Sequence, residues 1–217
     1  MKFTADLIVF DLDGTLADSL PDLTAAANFV CRTLGLPEHP ANAIKQMIGG
    51  GERTFVRRFI GQEHRELFDE AFRLYLEYYS RHCADHTSLY PGVKETLAVL
   101  SAKRLAVLSN KMERHTRKVV EALGIAHFFE AVKGGDSYGV LKPEPDGLAA
   151  LIKELGERPE RTLMVGDKPG DIISGRGVGA HTLAVTYGYG EVEALRAAAP
   201  EAIIDAFPQL AEYLLVN

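Results

Sequence analysis

From Arg104 to the end of the chain, short apolar runs alternate with segments of helical period, and this alternation limits the possible folds more than any other feature. Leu105-Ala106-Val107-Leu108, Ala131-Val132, Thr162-Leu163-Met164-Val165, Thr182-Leu183-Ala184-Val185 and Ala202-Ile203-Ile204 read as strands. Between them, residues 115–123 and 146–155 read as helices stopped by Gly124 and Gly156. Residues 171–176 and 191–198 give two shorter helices, and a last one starts at Pro208. Runs with no polar alternation are buried on both faces. Such strands, each followed by a helix, predict an α/β core: a doubly wound, Rossmann-like parallel sheet with helices on both faces.

Leu7-Ile8-Val9-Phe10 supplies one more buried strand, but the segment after it breaks the pattern. Leu23, Ala27, Val30 and Leu34 share one helical face, ended by Gly35. Phe55, Val56, Phe59 and Ile60 form a second stripe, and Leu67, Ala71, Leu74, Tyr75 and Tyr78 a third. Pro91-Gly92 marks the return to the alternating pattern. The expected division is therefore a core of residues 1–16 and 87–217 with an inserted helical cap over 17–86. A chain of 217 residues is long enough for one core and a small insertion.

The first strand ends in Asp11-Leu12-Asp13-Gly14-Thr15-Leu16. In extended chain Asp11 and Asp13 point to the same side. Two carboxylates that close repel one another unless a cation lies between them, and hard oxygen donors suit Mg²⁺. Gly14-Thr15 then turns the chain away, which lets backbone approach a ligand.

Other features narrow the partners. The net charge of −6, with no long basic run, argues against nucleic acid or an anionic membrane surface. Cys31 and Cys83 are too few for a disulfide framework. The first apolar run is too short for a signal peptide, and no stretch approaches the roughly 18 apolar residues of a membrane span. These features predict a cytoplasmic protein, monomer or homodimer, acting on a small molecule.

Three more polar groups follow predicted strands: Ser109-Asn110, Leu141-Lys142-Pro143, and Gly166-Asp167-Lys168-Pro169-Gly170-Asp171. Ligands of open parallel sheets bind beyond the carboxyl ends of strands, so these groups can converge on Asp11 and Asp13.

In this order, Asp11-x-Asp13-Gly-Thr, Ser109, Lys142 and Gly166-Asp167-x-x-x-Asp171 resemble the four motifs of the haloacid dehalogenase superfamily, over the whole chain. For a phosphatase of that superfamily, the resemblance implies that Asp11 attacks phosphorus and becomes an aspartyl phosphate. Asp13 then protonates the leaving oxygen and later activates water. The implied Mg²⁺ site is Asp11, the backbone carbonyl of Asp13, and Asp167, with Asp171 as direct or indirect support. Ser109 donates to a phosphoryl oxygen, and Lys142 balances the charge of Asp11 and the phosphoryl group. Charge considerations agree: a carboxylate cannot approach a phosphate dianion until cations screen it. Dehalogenases of the superfamily lack an acid at the position of Asp13, so phosphoryl transfer is expected here.

The insertion resembles the superfamily's cap, a lid that excludes water. Its Met47-Ile48-Gly49-Gly50-Gly51-Glu52-Arg53 turn, and the loop from Thr186 to Gly190, resemble stretches of bacterial phosphoglycolate phosphatases. Gly51 and Arg53 are expected to contact a substrate carboxylate, with Asn110 as a third substrate-binding residue, while Lys168 is expected to face solvent. Two other patterns carry no function: His82, Cys83 and His86 lack a fourth zinc ligand, and Gly175-Arg176-Gly177-Val178-Gly179 precedes a strand instead of following one. The expected activity is hydrolysis of a small phosphomonoester, 2-phosphoglycolate first. A pyrophosphatase, a sugar phosphatase, a phosphomutase or a catalytically retired binding protein remains open at this stage.

Overall fold

The structure, a computed structural model, describes residues 2–214. β1 (Leu7–Phe10) leads through β2 (Ala17–Asp18) into four helices, α1 (Leu20–Thr33), α2 (Ala41–Met47), α3 (Gly51–Ile60) and α4 (Phe68–His82), followed by β3 (Ser88–Leu89). Then come α5 (Val93–Val99), β4 (Arg104–Leu108), α6 (Glu113–Ala122), β5 (Ala131–Lys133) and α7 (Asp146–Glu154). β6 (Thr162–Gly166), α8 (Pro169–Val178), β7 (His181–Val185), α9 (Val192–Ala197) and β8 (Ala202–Ile204) complete the core, with a 3₁₀ segment Phe207–Tyr213 behind them.

Six strands form one sheet in the order β5-β4-β1-β6-β7-β8, every neighbouring pair parallel. The chain adds β4 and β5 on one side of β1 and β6 to β8 on the other. The winding direction therefore reverses at β1, and the crevice opened there is where ligands bind in such sheets. Alternate residues of each strand serve opposite faces. Ile8, Phe10, Leu105, Val107, Leu163 and Val165 join Val93, Leu97 and Val119 from α5 and α6. Leu7, Val9, Ala106, Leu108 and Met164 meet Leu148, Leu151 and Ile152 of α7 on the other face. Because both faces are covered, the strands are mainly apolar, with polar residues confined to their ends.

The four helices between β2 and β3 share one apolar cluster with the first of these faces. The third stripe runs through Ala71, Tyr75 and Tyr79, four residues apart, while Tyr78 stacks on Phe29 with ring centroids 4.4 Å apart. The antiparallel pair β2–β3 forms the neck to the core, with Ala17 opposite Leu89. Beside it the buried Asp22 accepts from the amides of His86 and Thr87 at 3.0 and 2.8 Å. The neck strands, α2 and α5 were absent from the sequence-based expectation: α2 buries only Ile44, too little for a periodic signal. α8 begins two residues earlier than Asp171, because Pro169 suits a first helical turn and the Asp171 side chain caps the Lys168 amide at 3.0 Å.

Candidate active site

The polar ends of β1, β4 and β6 meet at the switch point. Asp11 continues the β1 ladder, its N–H donating to the Val165 carbonyl at 2.9 Å. Lys142, buried, donates from Nζ to the Leu108 carbonyl at 2.6 Å and lies 3.1 Å from Asp11 Oδ1 and 2.7 Å from Asp171 Oδ1. Burial pulls on its proton, but the two carboxylates outweigh that and raise Lys142 above its ordinary value.

Asp11, Asp167 and Asp171 are buried together, with one oxygen of each within 4.8 Å of the others, and they are the only such cluster among the described residues. Burial first, then repulsion from neighbouring carboxylates, pushes Asp11 up to about 6 and Asp167 up to about 7 from an ordinary 3.8. Three carboxylates against one lysine leave an excess of two negative charges when all are ionised. An all-carboxylate donor set with that excess fits a hard divalent cation.

Asp167 is fixed from above by the loop at 186–190. Its Oδ2 accepts from the amides of Tyr189 at 2.7 Å and Gly190 at 3.3 Å, and the Thr15 hydroxyl reaches Oδ1 at 3.3 Å. The Tyr189 hydroxyl accepts from the amides of Ser19 and Leu20 and donates to Asp18, which binds this loop to the neck. Gly14 has φ of +86°, and a Cβ there would fall 2.2 Å from Asp167 Oδ2. Both the turn and the close approach exclude a side chain.

The Asp13 carboxylate stands apart from the acidic cluster. Its Oδ1 accepts from Ser19 Oγ at 2.5 Å and Lys111 Nζ at 2.6 Å, and Lys111 also reaches the Tyr79 hydroxyl of α4 at 2.8 Å. Ser109, buried, accepts the Lys111 amide at 3.3 Å, so its own O–H is available to donate.

A cavity of about 360 Å³ opens over these groups, lined by Asp11, Asp13, Ser109, Lys142 and Asp171 below and by α1, α3, α4 and the turn before α3 above. Two expected residues, Arg53 and Lys168, are placed differently from the sequence reading. Arg53 is exposed and lies over the rings of Phe68 and Phe72, 4.8 and 5.0 Å from their centroids, outside the cavity lining. On α3 it occupies the face turned away from buried Phe55, Val56 and Phe59. Asn110 lines the cavity, but its amide is used to hold the Lys142 backbone, donating to the carbonyl at 2.8 Å and accepting from the N–H at 2.9 Å. Lys168 does not face solvent: it lines the cavity and its Nζ donates to the Ile48 carbonyl of the turn. Gly51 does line the cavity, at the start of α3, with φ of +80°. His82 pairs with Asp85 at 2.7 Å.

Sequence reasoning missed Lys111, Tyr75, Tyr79 and the buried pair Glu52–His115, joined at 2.7 Å. Lys111 was within reach, since it follows Ser109-Asn110 at the same strand end. The others sit within helical stripes, where nothing in the spacing separates a core residue from a cavity wall.

A parallel sheet whose switch point carries two carboxylates after β1, a serine after β4, a buried lysine and two further acids after β6 defines a hydrolase of phosphate esters. Residues 8–185 match the model of the haloacid dehalogenase-like hydrolases, and the chain belongs to that family, as a phosphatase. It is similar to phosphoglycolate phosphatases of Chromobacterium violaceum, 39% identical over 197 residues covering 88% of this chain and 89% of that one, and of Haemophilus influenzae, 37% identical over 218 residues covering 96% and 97%. A crystal structure of a predicted phosphoglycolate phosphatase from Haemophilus somnus superposes with a TM-score of 0.91 at 32% identity, covering 96% of this chain and 97% of that one. No helix of the described residues is long and apolar enough to cross a membrane.

Proposed function

We propose that this phosphatase is a Mg²⁺-dependent phosphomonoesterase that works through an aspartyl phosphate on Asp11, with 2-phosphoglycolate as substrate. One observation carries the reading: the Asp11 carboxylate, at the C-terminal end of β1, lies 3.1 Å from the Lys142 ammonium beside Asp167 and Asp171, with Asp13 two residues on. In the first step an Asp11 oxygen attacks phosphorus and the bond to the leaving oxygen breaks, while Asp13 gives that oxygen its proton. In the second, Asp13 takes a proton from water, whose oxygen attacks phosphorus. The bond to Asp11 then breaks and inorganic phosphate leaves. Ser109 and Lys142 hold phosphoryl oxygens throughout. Mg²⁺, held by Asp11, Asp167, Asp171 and the Asp13 carbonyl, supplies the charge screening that lets a carboxylate meet a phosphate dianion.

Residues 17–86 act as a cap that keeps bulk water from this centre. The names of the relatives at 39% and 37% identity support the substrate. Its carboxylate is met by Lys168 and the amides of the Gly50-Gly51 turn, in place of Arg53. We place the reaction in the cytoplasm, where free thiols such as Cys31 and Cys83 persist. The test is phosphate release from 2-phosphoglycolate by the purified chain. Release that a chelator stops and Mg²⁺ restores is expected. Absence of release from this ester and from p-nitrophenyl phosphate would overturn the reading.

A further inference from the structure

Two residues of the cavity wall each carry a buried polar atom with no hydrogen-bond partner: Glu52 Oε2 and the Tyr75 hydroxyl. Glu52 is anchored through its other oxygen, which accepts from His115 Nδ1 at 2.7 Å. His115 is held in turn by Ser80 Oγ, 2.9 Å from Nε2. The Tyr75 ring is fixed by stacking on Tyr79, centroids 5.2 Å apart, and by an edge contact with Phe55 at 5.8 Å. Neither group can swing away to find a partner without breaking these contacts. Burial, and then the charge of Glu52, push the Tyr75 phenol well above its ordinary value, so it remains a proton donor.

Buried polar atoms without partners are uncommon in folded proteins, and an unpaired carboxylate oxygen is among the costlier ones. Here one acceptor and one donor belong to residues that line the cavity of Asp11 and Ser109, and they do not bond to each other. An alcohol is the complement of that pair: its O–H donates to the carboxylate and its oxygen accepts from the phenol. A carboxylate ligand is not, since it brings no proton to Glu52 and meets like charge.

We propose that Glu52 Oε2 and the Tyr75 hydroxyl form a subsite for a hydroxyl group of the leaving alcohol, so that the enzyme also accepts phosphate monoesters of short polyols. The inference rests on the phosphatase reading for the position of the phosphoryl group and extends it beyond phosphoglycolate. Its test is binding, measured by calorimetry with Mg²⁺ on the full chain carrying Asp11→Asn, which cannot turn over. Glycerol 1-phosphate is compared with 2-phosphoglycolate. Added Tyr75→Phe should weaken glycerol 1-phosphate about 3- to 10-fold, and added Glu52→Gln about 10-fold or more. Glu52→Gln should leave phosphoglycolate unchanged or bound more tightly, because a like charge is gone. Equal weakening of both esters, no change for glycerol 1-phosphate, or no binding of it at all would overturn the subsite. Phosphate release by the unsubstituted chain tests the phosphatase reading separately, so either can fail without the other.

Discussion

The floor and the wall of the cavity are built on opposite principles. On the floor every carboxylate is held by partners: Lys142 meets Asp11 and Asp171, Asp167 gathers two amides and a hydroxyl, and Asp13 meets Ser19 and Lys111. The wall, which also holds Leu23, Ile48 and Phe55, carries two polar atoms that nothing satisfies, and Lys168 gives one of its donors to a backbone carbonyl. A floor whose groups are held in place before substrate arrives is preorganised for one group, the phosphoryl, whatever carries it. A wall that is incomplete leaves its last contacts to the substrate, and so selects among esters. Substitutions on the floor should therefore damage every substrate, differing only where a leaving group needs no proton, and those on the wall should separate esters by the rest of the molecule.

The largest loss is expected from Asp11→Asn, at least about 10⁴-fold in kcat on every ester, with an unchanged fold by circular dichroism. Near-normal turnover, once deamidation back to aspartate is excluded by mass, would break the assignment of the floor. Asp13→Asn should cost about 10²- to 10⁴-fold on alkyl esters. With p-nitrophenyl phosphate, whose leaving group needs little protonation, a burst of one nitrophenol per enzyme should precede slow turnover. Equal loss in the first step for both kinds of ester would count against Asp13 as the acid.

A divalent cation should stabilise the floor by about 2.7 kcal/mol at roughly a hundredfold excess over its Kd, read as a rise in Tm. Asp11 and Asp167 hold their protons up to about 6 and about 7 in the fold, against an ordinary 3.8. Without a cation, their contribution to stability is therefore complete below 3.8 and is lost as pH rises through 6 to 7. The cation needs the ionised form, so its stabilising effect should grow across the same window and be larger near pH 8 than near pH 5. The reverse order would show that these carboxylates do not bind it.

On the wall, Lys168→Met should lower kcat/KM for phosphoglycolate about 10- to 100-fold and leave p-nitrophenyl phosphate nearly untouched. Equal losses would make Lys168 a tether of the Ile48 turn and no reader of charge. The smallest effect belongs to Arg53→Ala, within about twofold on both esters. Its stacking on Phe68 and Phe72 is exposed and worth about 0.5–1 kcal/mol of stability at most.

Most of the floor was legible in the sequence because Asp11, Ser109 and Asp167 stand at the ends of apolar strands, and strand ends in a doubly wound sheet converge by topology. Asp11, Ser109, Lys142, Asp167 and Asp171 could be brought together before any coordinates. The wall was not. Glu52 and Arg53 are neighbours in sequence, yet the turn of α3 directs one into the cavity and the other onto Phe68. Rotation about a helix axis decides which residue reads the substrate, and a triple-glycine entry leaves that rotation open. Tyr75 looked like any core aromatic, because its missing hydrogen-bond partner is a property of the surrounding space. Lys168 looked solvated because the turn it meets lies about 120 residues away in sequence, at Ile48.

The central claim is that the floor acts covalently through Asp11 on every substrate that the wall admits. Its most direct test is to quench the enzyme in acid during turnover with phosphoglycolate, reduce it with borohydride and sequence the peptides by mass spectrometry. Homoserine at position 11, dependent on substrate and absent from Asp11→Asn, is the predicted result. An unmodified Asp11 in an enzyme trapped while turning over, or homoserine at any other aspartate, would contradict it.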